Sequence, residues 1–346
     1  MNIAGILQKL LDRQALDRAE MREVMQYLMS GQASPARISA LLVALCAKGE
    51  TVQEVAAAAQ VLRELSIRVE VAQEHLIDTC GTGGDARHTF NISTAAAFVA
   101  AAAGARVAKH GNRSVSSRSG SADVLEAAGV RLDLQPEQVK ACIEQMGLGF
   151  LFAQRHHEAM RHLLAVRKEI GIRTVFNLLG PLINPAGAPN QLLGVYSAAW
   201  VEPLADVLRV LGSQHVLVVQ AEDGLDEISI GSPTRVAELK DGQINTYTLT
   251  PERFGLSRAP LDTLVIASAA ESHALIRRVF QGEKGPARDI VMLNAAAALY
   301  VANVADSLET GLEKAGSVLD SGLALEKLEN LATFTQSLPL TGSIPS

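Results

Sequence analysis

Gly81-Thr82-Gly83-Gly84-Asp85 and Lys109-His110-Gly111-Asn112-Arg113-Ser114-Val115-Ser116-Ser117 are two turn sequences set on either side of an apolar run at 94–104. Glycines leave backbone N–H groups open to a ligand, and the hydroxyls with Lys109, Arg113 and Arg118 add donors and positive charge. Two anion sites so close together suit a substrate that carries several phosphates. Each turn follows a short β-like run and precedes a helical one. Repetition of strand, turn and helix argues for an α/β fold.

Outward from that stretch the pattern continues. Short β-like runs at 75–78, 106–109, 150–153, 191–196 and 215–220 each lie near a helical stretch, which predicts βα units and a mostly parallel central sheet. The segment 235–250, with Asp241-Gly242 at its centre, predicts a hairpin added to that sheet. Before residue 70 no strand is expected. Three helical signatures stand there instead: Asp17 with Glu20, Ser34-Pro35 opening a run that stops near Gly49, and Thr51 with Glu54 as a capping box. Residues 285–336 return to helix. The organisation therefore changes somewhere in 67–74.

The chain has 346 residues, 48% of them hydrophobic, enough for two domains or one large α/β unit. Its net charge of −6 argues against nucleic acid as a partner, which calls for a basic excess. Cys46, Cys80 and Cys142 are odd in number and widely spaced, so neither a disulfide framework nor a zinc site is expected, and a cytoplasmic location fits. The longest apolar run, near 95–108, is broken by Gly104 and Arg106 and is shorter than the ~20 residues a bilayer span takes. No membrane partner and no secretory signal are expected.

Gly81 to Ala86 matches G-x-G-x-x-[GA], but a dinucleotide site needs the helix to start within the turn and an acidic residue about 20 positions later. Here the helical pattern starts at 91–94, and no Asp or Glu lies between Asp85 and Asp123. G-x-x-x-x-G-K-[ST] is absent. What is left is a strand, a glycine turn, and a helix whose opening Asn91, Ser93 and Thr94 can cap it and donate to an anion. From Lys109 to Ser121 five serines and three cationic residues fall in thirteen positions with no carboxylate, a composition that reads as a phosphate cradle. Asp226-Glu227 follows the run at 215–220; magnesium is commonly held by one or two carboxylates plus substrate phosphates. His156, His157, Glu158 and His162 lack H-E-x-x-H order. The Gly180-Pro181 and Asn184-Pro185 pairs predict a rigid wall or hinge beside a cleft.

Taken together, the two turns, the stretch from Gly171-Ile172-Arg173-Thr174 through Pro185, and Asp226-Glu227 resemble the anthranilate phosphoribosyltransferase family over nearly the whole chain. The resemblance implies a nucleoside phosphorylase/phosphoribosyltransferase-like fold: a small helical domain (1–72, with a returning segment near 167–188) and a larger α/β domain (73–346). It implies homodimers formed through the helical domains. Phosphoribosyl pyrophosphate (PRPP) would be bound by Gly81, Gly84, Asp85, Thr89, Asn91, Ser93, Thr94, Lys109, Asn112, Arg113, Ser114, Ser116, Ser117 and Ser121. Magnesium would be served by Ser93, Asp226 and Glu227. Anthranilate would meet Gly81, Asn112 and Arg167, a guanidinium suited to its carboxylate, with His110, His157, Gly180 and Pro181 beside it. The implied reaction is attack of the anthranilate amine on C1 of the ribose as pyrophosphate leaves.

Two rivals are weaker. A pyrimidine nucleoside phosphorylase carries a signature resembling Lys-His-Ser-Thr-Gly-Gly, where this chain reads Lys109-His110-Gly111-Asn112-Arg113. A non-catalytic nucleic-acid binder on the same fold would be expected to lose the acidic pair or gain a basic face.

Overall fold

The structure, a computed structural model, describes residues 2–114 and 118–340. Four helices come first: α1 (Ile3–Leu11), α2 (Arg18–Met29), α3 (Pro35–Lys48) and α4 (Val52–Leu65). Their starts are set by local chemistry. Asp17 and Glu20 close a reciprocal capping box on α2, Ser34 caps α3 ahead of Pro35, and Thr51 with Glu54 caps α4. Helix α1 is an addition to the three expected helices; Asn2 caps it through a bond from the Gly5 N–H at 3.1 Å.

A seven-stranded sheet follows, with β1 (Leu76–Gly81), β2 (Arg106–Gly111), β3 (Leu148–Phe152), β4 (Asn190–Gly194), β5 (His215–Ala221), β6 (Thr234–Lys240) and β7 (Gln243–Leu249). Their order is β3-β2-β1-β4-β5-β6-β7. The first five are parallel, and β6 and β7 add on antiparallel. The β6–β7 hairpin turns at Asp241 and Gly242, both at positive φ (51° and 75°), as the Asp-Gly pair predicts. Helix α5 (Ile92–Ala102) joins β1 to β2, and the short α6 (Ser121–Ala127) follows β2. Beyond it lie α7 (Pro136–Met146), α8 (Ala153–His156), α9 (Arg161–Ile170), α10 (Phe176–Leu179) and α11 (Val201–Val210). The chain ends in α12 (Ala269–Phe280), α13 (Pro286–Val301), α14 (Leu308–Asp320) and α15 (Leu323–Ser337).

Strand residues alternate between two cores because successive side chains face opposite ways. Leu192, Leu217 and Val219 join a cluster with α5 and the C-terminal helices, where Phe98 meets the edge of Phe280 at 6.2 Å. Leu193, Val216 and Val218 join a second cluster with α1–α4, α11 and the returning residues Leu163, Val166, Phe176 and Leu179. Strand order reverses at β1: β2 lies on one side and β4 on the other. In an open parallel sheet, ligands bind in the crevice outside the carboxyl ends of strands at such a point. Both glycine-containing turns leave the sheet there.

Candidate active site

The first turn leaves β1 with Gly83 and Gly84 at φ +65° and +79°, and Ala86 and His88 also lie at positive φ (58° and 56°). Non-glycine residues adopt that region at a cost, so the turn needs outside support. Support comes from three directions. Thr82 N–H donates to Gly194 O at 2.9 Å, and the Tyr196 N–H donates to Thr82 Oγ1 at 3.0 Å. Arg173 donates from Nη2 to Gly84 O at 2.6 Å while its guanidinium stacks 4.1 Å from the centre of the Tyr196 ring. Gly83 N–H donates to Asp226 Oδ2 at 2.9 Å. The far end is pinned where Phe90 N–H donates to Leu264 O and Ile266 N–H donates to His88 O, with Thr89 bridging Val265.

Glycine is required twice on the floor of this crevice. A Cβ at Gly81 would stand 2.7 Å from Asp226 Oδ2, and one at Gly194 would stand 1.6 Å from Asp226 O. The acidic turn therefore packs directly on the ends of β1 and β4. The sequence names Arg173 only within the stretch Gly171–Thr174 and gives it no role, and it leaves Gly194 unmarked, although a glycine closing a buried strand is an available signal.

Asn91 precedes α5 but does not cap it with its side chain. Its Oδ1 accepts from Ser119 and Ser272 hydroxyls at 2.8 and 2.7 Å, and its Nδ2 donates to Ser119 O at 3.1 Å. That corrects the expected cap: the amide is used to bind the second turn to α5 and α12. The helix start is met instead by Glu227, whose Oε1 accepts from the Ser93 N–H at 3.1 Å, a carboxylate where the helix dipole favours one. Thr94 is buried two positions into α5's first turn.

Lys109, on β2 where the second turn begins, is 2% exposed. Its amine donates to Thr79 O and, at 3.3 Å, to Ser93 Oγ. Burial lowers its pKa, against the opposing pull of Asp78, Cys80 and Glu227. Asp78, itself buried, is pushed up to about 6 by burial and accepts from the His110 N–H at 3.1 Å. Asn112 is exposed at the rim, its Oδ1 accepting from the Arg113 N–H at 2.8 Å. Ser121 starts α6 and donates to Asn112 O at 3.4 Å.

The expected loop of a single charge sign is corrected by the fold. Arg113 pairs with Asp123 and with both oxygens of Glu126. Asp123 Oδ2 also accepts from the N–H groups of Ser114 and Gly120, at 3.0 and 2.8 Å. Arg118 donates to Ile266 O at 3.1 Å. Ser116 and Ser117 lie outside the described residues.

Burial raises Asp226 to about 7, reinforced by the charge of Asp85, and raises Glu227 to about 8, reinforced by Asp226. Among the described residues no group of three or more His, Cys, Asp or Glu side chains is arranged to hold a metal by itself. Adjacent carboxylates whose repulsion a hard divalent cation would relieve do fit an ion that takes its remaining oxygens from a substrate.

A second wall faces these turns. His110 Nδ1 lies 3.1 Å from Gly180 O, and its ring meets that of His157 edge-on at 5.1 Å. Burial lowers both imidazoles, His157 to about 4, so both are neutral near pH 7. Pro181 O accepts from Gln191 Nε2 at 2.6 Å, which fixes the Gly-Pro turn to β4. Arg167, half-buried on α9, lies over the Phe176 ring at 5.1 Å; among the described residues it makes no ion pair.

Family models agree with this layout. A glycosyl transferase family helical bundle domain matches residues 4–66, and a glycosyl transferase family a/b domain matches residues 73–325. The anthranilate phosphoribosyltransferase of Thioalkalivibrio sulfidiphilus is 61% identical over 97% of this chain and all of its own length. This chain belongs to the anthranilate phosphoribosyltransferase family. The Methylococcus capsulatus member is likewise 61% identical, over 97% of this chain and 98% of its own. The solved anthranilate phosphoribosyltransferase of Thermus thermophilus superposes with a TM-score of 0.91 at 48% identity, covering 96% of this chain and 99% of its own. That of Saccharomyces cerevisiae, in complex with PRPP and Mg, superposes with a TM-score of 0.89 at 28% identity, covering 97% and 98%. The family excludes the nucleoside phosphorylase alternative, and the fold expected from the sequence stands: a small helical domain before an α/β domain with a mostly parallel sheet. Among the described residues no helix is long and apolar enough to cross a membrane.

Proposed function

We propose that the crevice at the carboxyl ends of β1, β2, β4 and β5 transfers the phosphoribosyl group of PRPP to the amine of anthranilate. The products are N-(5-phosphoribosyl)anthranilate and pyrophosphate, a step of tryptophan biosynthesis. One observation supports the placement most: Asp226 and Glu227 reach from beyond the end of β5 to the glycine turn and to the start of α5, where Ser93 in turn accepts from Lys109 of the second element.

In this reading Gly81, Gly84, Asp85, Thr89, Asn91, Ser93 and Thr94 line the PRPP side. Lys109, Asn112, Ser114, Ser116, Ser117 and Ser121 complete it, with Arg113 at its edge, where its guanidinium is already shared between Asp123 and Glu126. Asn91 and Asp123 act by shaping backbone, since their polar atoms are already engaged. Asp226 and Glu227, with Ser93, would hold Mg2+, which supplies neutralising charge to the leaving pyrophosphate. Arg167 orients the anthranilate carboxylate, with Asn112, Gly81, His110, His157, Gly180 and Pro181 around the ring. An aromatic amine is neutral near pH 7 and has its lone pair available, so no strong base is required before attack. Neutral His110 and His157 are compatible with that. Rate comes from holding amine, C1 and leaving group in line.

We further propose a division into 1–72 with the returning segment near 167–188, and 73–346. Support comes from Phe176 and Leu179 of the returning segment, which share an apolar cluster with α1–α4, although that cluster also takes in Leu193, Val216 and Val218 of the sheet. Pairing of two copies through the helical domains and a cytoplasmic location complete the proposal; three free cysteines are compatible with the latter. To test the reaction, purified protein is mixed with anthranilate, Mg2+ and PRPP. Anthranilate fluorescence should fall in step with pyrophosphate release, and only when all three are present. Untouched anthranilate would overturn the acceptor.

A further inference from the structure

Asn294, on α13, is completely buried among alanines and leucines. Its Oδ1 accepts from the Ile228 N–H at 3.0 Å; its Nδ2 donates to Ile228 O at 2.9 Å and to Ile290 O at 2.9 Å. One side-chain amide thus grips both backbone groups of the residue that follows Asp226-Glu227. Ile228 is itself buried, so neither group has water as an alternative partner.

The position of this grip distinguishes it from ordinary core polarity. The loop between β5 and β6 is otherwise organised largely from within. Leu225 N–H donates to Asp223 Oδ1, Ser229 Oγ to Asp223 Oδ2, and Gly231 N–H to Ser229 Oγ, at 3.2, 2.6 and 2.8 Å. Its ties to the phosphate-binding elements run through Asp226 to Gly83 and Glu227 to Ser93. Those ties run through carboxylates that a metal would also engage, so they cannot anchor the turn independently of the metal. Asn294 can. Helix α13 packs along α5, and Ser93 stands in the first turn of α5. The amide therefore sets the backbone next to Glu227 relative to the helix that carries Ser93.

We propose that Asn294 is a positioning residue for the phosphoribosyl transfer, holding the Asp226-Glu227 turn in register with α5 so that its carboxylates meet the metal and diphosphate together. The inference rests on the assignment of that pair made above. Residues that orient ligands without touching the metal typically change metal affinity by roughly 10- to 100-fold when removed.

Two variants separate this role from packing. Asn294→Asp is isosteric and keeps an acceptor for the Ile228 N–H; Asn294→Leu is close in volume and removes all three bonds. Mn2+ binding in the presence of PRPP, followed by electron paramagnetic resonance of free Mn2+, is the readout, together with the Michaelis constants for both substrates. For Asn294→Leu the Mn2+ midpoint should rise about tenfold or more, with a smaller rise for Asn294→Asp. KM for PRPP should follow it, and KM for anthranilate should stay within about twofold. Folded variants with an unchanged midpoint would overturn the proposal, as would equal rises in both Michaelis constants. Should neither variant fold, hydrogen exchange on the unaltered protein decides. The Ile228 amide should stay protected whether or not Mn2+ and PRPP are bound, while protection at Gly83 and Ser93 changes; loss of protection at Ile228 on loading would overturn it. If Asp226→Ala leaves Mn2+ binding unchanged, the assignment of the pair fails instead, a different result from a silent Asn294.

Discussion

The two turns at the ends of β1 and β2 are both anion-binding in composition, yet they are held by carboxylates of opposite kinds. The first is closed by Asp226, 143 positions later in the chain, through Gly83 N–H. The second is closed by Asp123 and Glu126, which stand only 3 to 13 positions from the residues they grip. A local carboxylate on a short helix shapes its own loop. A distant one, from the loop after β5, brings a glycine turn and an acidic pair to the same point, the arrangement by which the proposed site would meet a diphosphate and its cation at once. Similar composition therefore conceals a difference in role, which substitutions can expose.

The largest effect is expected at the distant carboxylates. Changing Asp226 and Glu227 together to Ala should lower kcat/KM for PRPP by roughly 100-fold or more, the scale seen when a preorganised electrostatic contact to a leaving group is lost. The magnesium dependence should also move to higher concentration. An unchanged magnesium titration would remove the pair from the site and with it the contrast between the turns.

Next comes the acceptor side. Arg167 makes no ion pair among the described residues, and burial lowers its pKa, so a carboxylate ligand gains a charge-assisted contact already partly desolvated. Arg167→Ala should raise KM for anthranilate by about 10- to 100-fold, given ~1.5–3 kcal/mol for such a bond, with little change for PRPP. Equal effects on both substrates would sink the assignment.

Much of this is legible in the sequence, and the parts that are not share a cause. Capping boxes at Asp17/Glu20 and Thr51/Glu54, the Asp241-Gly242 hairpin and the βα alternation are encoded within a few residues, and the structure bears each of them out. Helices α1 and α12 carry equally local signals, Asn2 and the Ser268 cap with Glu271 in the first turn, which the sequence reading passed over. The expectations that failed are of another sort. A loop without carboxylates in its own sequence acquires two by folding, and Asn91 is claimed by hydroxyls 28 and 181 positions away rather than by its own helix. Asn294, a lone amide within an alanine-rich run, has a visible oddity but no visible partner. Local periodicity specifies elements; which polar atoms they satisfy depends on packing that a single sequence does not display.

The two turns should also differ in their response to pH. Burial holds Asp226 at about 7 and Glu227 at about 8, against about 4 for ordinary carboxyls. A carboxyl raised by folding binds its proton more tightly folded than unfolded, so ionising it opposes folding. That cost is absent below about pH 4, grows as pH rises, and is complete above about pH 8. The melting temperature of the metal-free protein should carry a component that falls across this window. Glu227→Gln should flatten the slope by several degrees, and Mg2+ with PRPP should restore stability most at the alkaline end. An identical slope in Glu227→Gln would mean that this carboxyl ionises freely in the folded state.

Arg113 should show the smallest effect, which is the sharpest test of the contrast. Its sequence position places it in the phosphate cradle, but its guanidinium is shared between Asp123 and Glu126, and its side chain is 44% exposed. Exposed pairs of this kind contribute about 0–1 kcal/mol, and a cation already neutralised adds little to the field felt by a phosphate. Arg113→Ala should therefore change KM for PRPP by less than about threefold and lower stability by no more than that figure. A tenfold rise in KM would show that the guanidinium leaves its two carboxylates when PRPP arrives. The second turn would then resemble the first, its internal carboxylates holding the anion's place rather than shaping the loop, and the distinction between local and distant closure would fall.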